Sequence, residues 1–306
     1  MDICSSLKDL AENTEPLVVA IGNFDGVHRG HQALLQQAKD TAKSKNAKFG
    51  VLTFEPHPKT LFRPEDRPTR ITPPEVKHWR LQEFGVEVLV SLPFDWDFAS
   101  QSAEEFIKVI LQDGMHAKHV VVGDDFRFGQ MRKGAPADIE QAGIGVSIVE
   151  KVQGEDGQIF SSSRVRTALR AGDLKTANAV LGWEWEMRGE VMKGDQRGRE
   201  LGYPTANMHL GDTIHPAYGV YAAMVQVEGE EQWRGAAINI GIRPMFEVPT
   251  AHVESFIFDF DEEIYGKTLR VKPVERLRSE AKFNSLDALI AQMDKDCEKA
   301  HEVLGL

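Results

Sequence analysis

The sequence predicts an α/β protein in two parts: an N-terminal domain with a parallel sheet, then a small antiparallel β-barrel that ends in a helix. Up to Gly182, short apolar runs alternate with helical segments, which is the pattern of a doubly wound parallel sheet. From Met187 onward, strand follows strand at short spacing with glycine turns, which is typical of a small barrel. We therefore expect one domain at 1–182 and a second at 183–306.

Composition narrows the class of protein. The chain has 306 residues, of which 42% are hydrophobic and 27% charged, as in soluble globular proteins. No apolar run is long enough to span a membrane, and the first residues lack the basic and apolar regions of a signal peptide. The net charge of −11 argues against a general nucleic-acid binder. Two cysteines support neither a disulfide framework nor a zinc cluster, so we expect a cytoplasmic protein without a membrane partner.

The first domain is predicted to contain five strands separated by helices. The strands are Leu17–Ile21, Phe49–Phe54, Val86–Leu92, His119–Gly123 and Gly145–Val149. Helices are expected to reach Lys45, to cover Pro73–Phe84, and to begin near Ser102, Ser161 and Leu174. We expect residues 1–16 to form a polar entry segment and 59–74 to form a long loop.

The second domain is predicted to contain six strands and one helix. The strands are Met187–Lys193, Ala206–Leu210, Gly219–Glu228, Gln232–Ile240, His252–Phe260 and Thr268–Leu277. The final helix begins near Ser285 and carries apolar side chains at helical spacing. Cys297 belongs to that series, so we expect a packed thiol at this position.

A dense group of glycines and histidines follows the first strand. The loop Gly22-Asn23-Phe24-Asp25-Gly26-Val27-His28-Arg29-Gly30-His31 leads into a helix, whose N-terminus is suited to bind a phosphate. His28 and His31 are three residues apart, so a first helical turn places both on one side, where they can stabilise a charged oxyanion. Glycine-rich junctions of this type are also common without any ligand. We predict catalytic roles for the two histidines and nucleotide contacts at Gly22, Phe24, Asp25 and Gly30.

Two further segments of the first domain carry polar groups at expected ligand positions. Asp124-Asp125-Phe126-Arg127-Phe128-Gly129 follows the fourth strand, where open α/β sheets bind ligands. Ser161-Ser162-Ser163-Arg164-Val165-Arg166 opens a helix with hydroxyls and cations, which suits an anion. A serine N-cap with exposed arginines would have the same sequence.

The second dense group lies in the barrel, between Gly194 and Asn207. It contains Gly194, Arg197 and Gly202, followed by Pro204-Thr205-Ala206-Asn207. Thr205 and Asn207 face the same side of a strand, and their hydroxyl and amide oxygens suit Mg²⁺ with ATP phosphates. Glu254 lies in an otherwise apolar strand and is the candidate general base. An ordinary turn and an exposed strand glutamate are the alternatives at these two places.

Together, these motifs resemble the bacterial FAD synthetases, which join an FMN adenylyltransferase to a riboflavin kinase. His28–His31 resembles the H-x-G-H motif of the nucleotidyltransferase superfamily, Gly123–Gly129 a Gly-x-Asp-Phe-x-Phe-Gly element, and Gly202–Asn207 a Gly-x-Pro-Thr-Ala-Asn motif. The resemblance extends from about Leu17 to Asp296. It implies that the first domain is a Rossmann-like nucleotidyltransferase.

The resemblance also implies substrates and site residues. ATP, riboflavin, FMN and FAD are the expected substrates and products, with Mg²⁺ as cofactor. Ser162, Ser163 and Arg166 would hold ATP phosphates, and Asp125 would lie near the nucleotide. The flavin side of the adenylyltransferase site would include Phe54, Pro56, His57, Pro58, Phe62 and Phe128. For the 59–74 segment, a solvated loop is the alternative, and the sequence leaves open whether the chain forms a homo-oligomer.

Several positions depart from the family pattern. In the family, Pro-Thr usually follows an Asn-x-Gly-x-Arg run, whereas this chain has Arg243-Pro244-Met245. Phe256 stands where the family often has a histidine. At the domain junction, Trp183-Glu184-Trp185 replaces Arg-Pro-Tyr. Two other functions therefore stay open at this point. One is a nucleotidyltransferase acting on another phosphorylated substrate, and the other is a flavin-binding regulator with a degenerate kinase site.

Overall fold

The chain forms two compact units. The computed structural model describes residues 1–10, 15–63, 66, 68–194, 201–242 and 251–306. The first unit consists of Met1–Asp66 with Pro74–Ser162, and the second of Arg67–Pro73 with Ser163–Leu306. The compact units therefore divide earlier than the boundary at Gly182 that the sequence predicts, because two helices between Ser163 and Gly182 belong to the second unit.

A parallel sheet forms the centre of the first unit, as the sequence predicts. It has six strands in the order β1-β4-β3-β2-β5-β6. The strands are β1 (Asp2–Cys4), β2 (Leu17–Ile21), β3 (Lys48–Glu55), β4 (Val88–Pro93), β5 (Ala117–Gly123) and β6 (Gly145–Val149). All five residues of β2 are buried, as expected for a strand that is covered on both faces.

Helices cover both faces of this sheet. They are α1 (Leu7–Leu10), α2 (Arg29–Ser44), α3 (Pro58–Phe62), α4 (Pro74–Glu83), α5 (Trp96–Ala99), α6 (Ala103–Glu105), a π-helix (Phe106–Gly114), a 3₁₀ turn (Gln130–Arg132) and α7 (Pro136–Gln141). Leu35 of α2 and Leu81 of α4 pack with Val18 on one face. Ile110 of the π-helix packs with Val19 on the other, which confirms the doubly wound arrangement.

The order in which the chain adds strands to the sheet reverses at β2. β3 pairs with one edge of β2, and β5 pairs with the other edge, both in parallel. The carboxyl ends of β2 and β5 therefore flank a topological switch point, where open α/β sheets form their ligand crevice. The loops that follow these two strands are the ones that contain His28 and Asp125.

Two local predictions for the first unit were wrong. Residues 1–16 include a strand, since Asp2–Cys4 pairs with Val88–Val90, but three residues are too few to show periodicity. The expected loop 59–74 begins with α3, whose first turn is capped by His57. The helix predicted to begin near Ser102 does begin there, with Ser102 as its N-cap. It is α-helical only over Ala103–Glu105 and then continues as the π-helix, in which Met115 N–H donates to Ile110 O at 2.8 Å.

The second unit contains the predicted antiparallel barrel. Its strands are β7 (Met187–Glu190), β8 (Ala206–His209), β9 (Gly219–Val227), β10 (Arg234–Ile242), β11 (Ala251–Ile257) and β12 (Thr268–Arg278). They pair in the order β7-β12-β9-β10-β11-β8. The barrel is nearly closed, because Met192 N–H, just after β7, donates to Asn207 O of β8 at 2.8 Å.

Within the described residues, three helices accompany the barrel: α8 (Ser162–Ala171), α9 (Leu174–Leu181) and α10 (Leu286–Leu304). Ser285 caps α10 by accepting a hydrogen bond from Ala288 N–H. Cys297 packs on the barrel from this helix, and burial raises the pKa of its thiol to about 11. The expectation of a packed thiol at Cys297 is thus confirmed.

A short segment from the first half of the sequence also belongs to the second unit. We call residues 68–73 the strap. The Thr69 carbonyl accepts from Arg166 Nε at 2.7 Å, and the Ile71 carbonyl accepts from the indole N–H of Trp185 at 2.8 Å. Ile214 N–H donates to Arg70 O at 2.7 Å. Ile71 and Trp185 are fully buried, so the strap is part of the core of this unit.

Candidate active sites

The loop after β2 has a backbone that few side chains adopt. Phe24 has a φ of 48° and Val27 a φ of 38°, and both side chains are fully buried. For a β-branched residue such as Val27, this conformation is an outlier that costs about 1–3 kcal/mol. Surrounding hydrogen bonds hold it, because Gln32 Nε2 donates to Val27 O at 2.8 Å and Val27 N–H donates to Phe24 O at 3.1 Å.

The loop delivers two histidines to the start of α2. His28 is the N-cap, and its Nδ1 accepts a hydrogen bond from His31 N–H at 3.3 Å. The two imidazole rings stack with their centroids 3.7 Å apart and their planes inclined by 22°. His28 is 6% exposed, whereas His31 is half-buried. Both rings therefore lie together where the helix N-terminus attracts negative charge.

Gly30 is required between them by close packing. A Cβ at this position would lie 3.0 Å from the Phe160 carbonyl oxygen and 3.1 Å from the His28 ring. Any side chain would therefore displace the imidazole. This contact gives a physical reason for the glycine of the H-x-G-H pattern. At the start of the loop, Gly22 has a similar relation to Phe24, whose ring would lie 3.3 Å from an added Cβ.

The remaining predicted nucleotide contacts divide between the two units. Ser162 Oγ donates to the carbonyl of the buried Asp25 at 2.8 Å, so these two residues come together in the first unit. Asp125 is exposed just beyond the end of β5, at the switch point. Ser163 and Arg166 belong to the second unit, where Arg166 Nε donates to the strap. Their contact with the nucleotide stays a prediction.

The predicted flavin residues are part of a row of aromatic rings beyond β3, β4 and β5. The ring centroid of Phe54 lies 5.7 Å from that of Phe94, and the centroid of Phe94 lies 5.9 Å from that of Phe62. On the other side, Phe54 contacts Phe98 at 5.1 Å, and the row continues through Phe106 to Phe128. Phe62 is 55% exposed, and its ring centroid lies 5.6 Å from that of Trp96, which is 64% exposed, so this side of the row is an apolar edge that is open to solvent.

Pro56, His57 and Pro58 connect β3 to α3 below this row. His57 Nδ1 accepts from Lys59 N–H at 3.1 Å and so caps the helix that carries Phe62. The Phe-x-Pro-His-Pro segment thus has a structural role in placing Phe62. Its contact with a flavin stays a prediction.

In the barrel, three polar side chains form a row across neighbouring strands. Glu254 of β11 is directly opposite Asn207 of β8 and also opposite Asn239 of β10. Residues opposite each other in antiparallel strands point to the same face of the sheet, with Cβ atoms about 4.5–5.5 Å apart. Glu254 is half-buried between the two amides. A carboxylate in this position can accept a proton from a hydroxyl group brought to the same face.

Thr205 and Asn207 come together as their spacing predicts. Asn207 Nδ2 donates to the Thr205 carbonyl at 3.1 Å and lies 3.4 Å from Thr205 Oγ1. A Cβ on Gly194 would lie 2.7 Å from that amide nitrogen, so only glycine allows this approach. Gly202 has a φ of 85° in the turn before them, and Arg197 lies outside the described residues. With its hydroxyl and amide oxygens, the pair fits the hard oxygen donors that Mg²⁺ takes.

A cavity of about 260 Å³ adjoins this pair. Its lining includes Gly194, Thr205 and Asn207 on one side, and Phe260 and Tyr265 on the other. Ser255 also lines it, is completely buried, and has a hydroxyl oxygen that contacts no hydrogen-bond partner within the described residues. A buried hydroxyl usually has a partner, so Ser255 is a candidate to contact a ligand of this cavity.

Phe256, one of the departures from the family pattern, lies on β11. The Phe256 ring contacts the Tyr203 ring at 5.0 Å. The Tyr203 hydroxyl donates to Asp294 of α10, and this hydrogen bond raises the pKa of the phenol to about 12. Met245 with its neighbours Arg243 and Pro244 lies outside the described residues.

Comparison with known proteins identifies the family. Residues 10–164 match the family model of FAD synthetase, and residues 181–304 match that of riboflavin kinase. A bifunctional riboflavin kinase/FMN adenylyltransferase of Bacillus subtilis is 39% identical over 302 residues, covering 95% of this chain and 93% of the relative. The chain belongs to the bifunctional riboflavin kinase/FMN adenylyltransferase family. The predicted resemblance to FAD synthetases is confirmed.

Other relatives agree over nearly the whole length. The bifunctional riboflavin kinase/FMN adenylyltransferase of Escherichia coli strain K12 is 39% identical over 295 residues, covering 95% of this chain and 94% of the relative. A crystal structure of a Streptococcus pneumoniae protein called a macrolide-efflux protein has a TM-score of 0.83 and 36% identity, with 98% of each chain covered. In the described part of our chain, none of the helices combines the length and apolarity of a membrane span.

The structure adds residues to the family sites that the sequence motifs did not single out. Phe94 and Phe98 belong to the aromatic row. The sequence signal that could have identified them is the alternation of aromatic and acidic residues after β4, in Phe94-Asp95-Trp96-Asp97-Phe98. Asn239 and Ser255 have no local signal, because their relation to Glu254 and Thr205 depends on strand register. Within the described residues, no cluster of three or more His, Cys, Asp or Glu side chains could hold a metal ion by itself.

Proposed function

We propose that this protein converts riboflavin to FMN at the barrel and FMN to FAD at the parallel sheet, each time with ATP. The observation that carries the proposal is that the His28–His31 motif and the Gly202–Asn207 motif each lie within the segment that matches the corresponding family. We assign adenylyl transfer to 1–182 and riboflavin phosphorylation to 183–306. The riboflavin kinase match over 181–304 argues against a nucleotidyltransferase for another phosphorylated substrate.

In the kinase reaction, Glu254 is the general base. It accepts the proton of the riboflavin 5′-hydroxyl, which then attacks the γ-phosphate of ATP, and ADP leaves as the bond to the γ-phosphate breaks. Thr205 and Asn207, with Gly194, Gly202 and Arg197, bind the nucleotide. The oxygens of Thr205 and Asn207 would hold Mg²⁺, which neutralises charge on the phosphates when bound. Positioning and charge stabilisation account for most of the catalysis in such transfers.

In the adenylylation reaction, the FMN phosphate attacks the α-phosphate of a second ATP, and pyrophosphate leaves. His28 and His31 donate hydrogen bonds to the phosphate oxygens as charge develops. Gly22, Phe24, Asp25 and Gly30 shape the loop, Asp125 borders the nucleotide, and Ser162, Ser163 and Arg166 bind its phosphates. The FMN phosphate is already ionised, so this step requires no general base.

The flavin of the adenylylation site would bind against the aromatic row. Phe54, Phe62 and Phe128, bordered by Pro56, His57 and Pro58, offer flat apolar surfaces that suit an isoalloxazine ring. Phe62 lies at the exposed side of the row, where it could cover a bound flavin. We also propose that the protein acts in the cytoplasm, where ATP is available.

Two variants test the assignment of the activities. His28→Ala removes charge stabilisation, so FAD formation should fall on the order of 10²–10³-fold while FMN formation from riboflavin continues. Glu254→Gln removes the base, so FMN formation should fall by roughly 10²–10⁴-fold, and added FMN should restore FAD synthesis. Chromatography of the flavins after incubation with riboflavin, ATP and Mg²⁺ separates these products.

The opposite results would contradict these assignments. FAD formation at the unmodified rate by His28→Ala would mean that the H-x-G-H loop has been misassigned. Normal phosphorylation by Glu254→Gln would make Glu254 a structural strand residue. If the unmodified protein binds riboflavin but does not turn it over with Mg²⁺ and ATP, the protein is a flavin-binding regulator with a degenerate kinase site.

A further inference from the structure

A buried lysine from another element contacts the loop that carries the two histidines. Lys77 lies on α4 and is 3% exposed. Its ammonium forms an ion pair with Glu55 Oε1, lies 3.3 Å from Thr53 Oγ1, and donates to the Asn23 carbonyl at 3.4 Å. A buried ammonium is unfavourable unless it is paired and hydrogen-bonded, so this position is specified by its acceptors.

The Asn23 carbonyl belongs to the peptide plane that precedes Phe24. Its carbon atom defines the φ angle of Phe24, which is 48°. Fixing the direction of the carbonyl therefore fixes the peptide plane from which the left-handed backbone begins. Thr53 Oγ1 donates to the same carbonyl at 3.2 Å, so two side chains from different elements hold one oxygen. Such a backbone persists only where its surroundings determine it.

We propose that Lys77 is a positioning residue for adenylyl transfer. With Glu55 neutralising its charge, Lys77 holds the Asn23 carbonyl, and the loop then presents His28 and His31 at the helix N-terminus. The inference rests on the proposed role of His28. It is nevertheless separable from that role, because His28→Ala tests the histidine and Lys77 variants test only the loop geometry.

The principal variant is Lys77→Met, and Lys39→Met is its matched control. Lys39 also donates to a backbone carbonyl, that of Phe84 at 3.0 Å, but it is exposed and lies on the outer side of α2. A displacement of about 1 Å can lower a rate on the order of 10²-fold, so the kcat of FAD formation from FMN should fall to that extent in Lys77→Met. The KM for ATP should change little. Riboflavin phosphorylation, and all rates of Lys39→Met, should be unchanged.

A second variant separates positioning from folding. Lys77→Met alone leaves the Glu55 carboxylate without its cation, whereas Glu55→Gln/Lys77→Met removes both charges. If positioning is the role, the double variant recovers thermal stability but not kcat. The Cε1–H proton resonance of His28, identified by its loss in His28→Ala, should move in Lys77→Met and stay in place in Lys39→Met.

Combination with Thr53→Val gives an independent measure. Since Thr53 and Lys77 hold the same carbonyl, their effects on kcat should be non-additive, whereas those of Thr53→Val and Lys39→Met should add. Three results would overturn the proposal: an unchanged kcat in folded Lys77→Met, recovery of kcat by Glu55→Gln/Lys77→Met, or strict additivity with Thr53→Val. If His28→Ala itself retained activity, the proposed site would fail instead.

Discussion

At the scale of single residues, Glu254 and Ser255 are neighbours on β11 that point to opposite faces of the strand. Glu254 joins the row with Asn207 and Asn239, whereas Ser255 lines the cavity beside Thr205. Asn207 belongs to the row and also lines the cavity, so the cavity lies next to the row. We expect the nucleotide to bind in this cavity, because Gly194, Thr205 and Asn207 line it.

This arrangement predicts an effect of Ser255→Ala on the kinase reaction. A neutral hydrogen bond contributes about 0.5–1.5 kcal/mol, so the KM for ATP should rise by roughly 2- to 10-fold with kcat little changed. Steady-state kinetics with saturating riboflavin measure this change, and Ser147→Ala in the first unit is the control. An unchanged KM together with a higher melting temperature would show that the hydroxyl binds no ligand and is only an unpaired buried group.

Residue spacing predicted part of these sites for clear physical reasons. His28 and His31, or Thr205 and Asn207, are close in sequence, and helix or strand periodicity alone brings each pair together. Lys77 and Asn239 reach their partners only through the packing of distant elements. Their roles therefore could not be derived before the register of the strands and the position of α4 were known.

At the scale of elements, periodicity predicted the long helices and buried strands, and it failed where an element is short. β1 has three residues with one buried, and α3 has five residues with none buried, so neither shows a repeat. The apolar residues of 106–111 are buried at the spacing of one helix face, but hydrogen bonding makes the segment a π-helix. Apolar pattern thus reports which face is buried more reliably than it reports backbone geometry.

An ion pair links α10 to the barrel in addition to apolar packing. Arg278 at the end of β12 donates to Asp296 through Nε at 2.9 Å and through Nη2 at 2.6 Å. The Asp296 side chain is 8% exposed and that of Arg278 is 24% exposed. Removing one partner of a buried pair typically costs about 3–5 kcal/mol, and the partial exposure of Arg278 favours the lower end of that range.

Asp296→Ala should therefore lower the urea midpoint at which kinase activity is lost, and Glu298→Ala, on the exposed side of the same helix, should not. A midpoint equal to that of the unmodified protein would mean that apolar contacts around Ala300 hold α10 without the ion pair.

At the scale of the whole molecule, the strap makes the second unit discontinuous in sequence. The fully buried Trp185 depends on the Ile71 carbonyl for its indole hydrogen bond. A fragment 183–306 contains the barrel strands but lacks this carbonyl. It should therefore be less stable than the barrel of the full chain, since the indole loses its acceptor and its apolar cover.

Tryptophan emission tests this expectation directly. In a Trp183→Phe/Trp233→Phe background, Trp185 is the only tryptophan of the fragment 183–306. Its emission should move to longer wavelength than in the full chain that also carries Trp79→Phe/Trp96→Phe, where the indole is buried. Equal emission maxima and melting temperatures would mean that the strap contributes nothing to the second unit.

The discontinuity has a consequence for how the chain is made. The strap leaves the ribosome before its partners Trp185 and Ile214 have been translated, and at about 5–20 residues per second the delay is on the order of ten seconds. During that interval the nascent first unit holds an unpaired apolar segment, Ile71 included. A gene cut at a single junction would also separate the strap from the barrel. The two activities can thus be divided between two proteins only if the strap is included in the protein that contains the barrel.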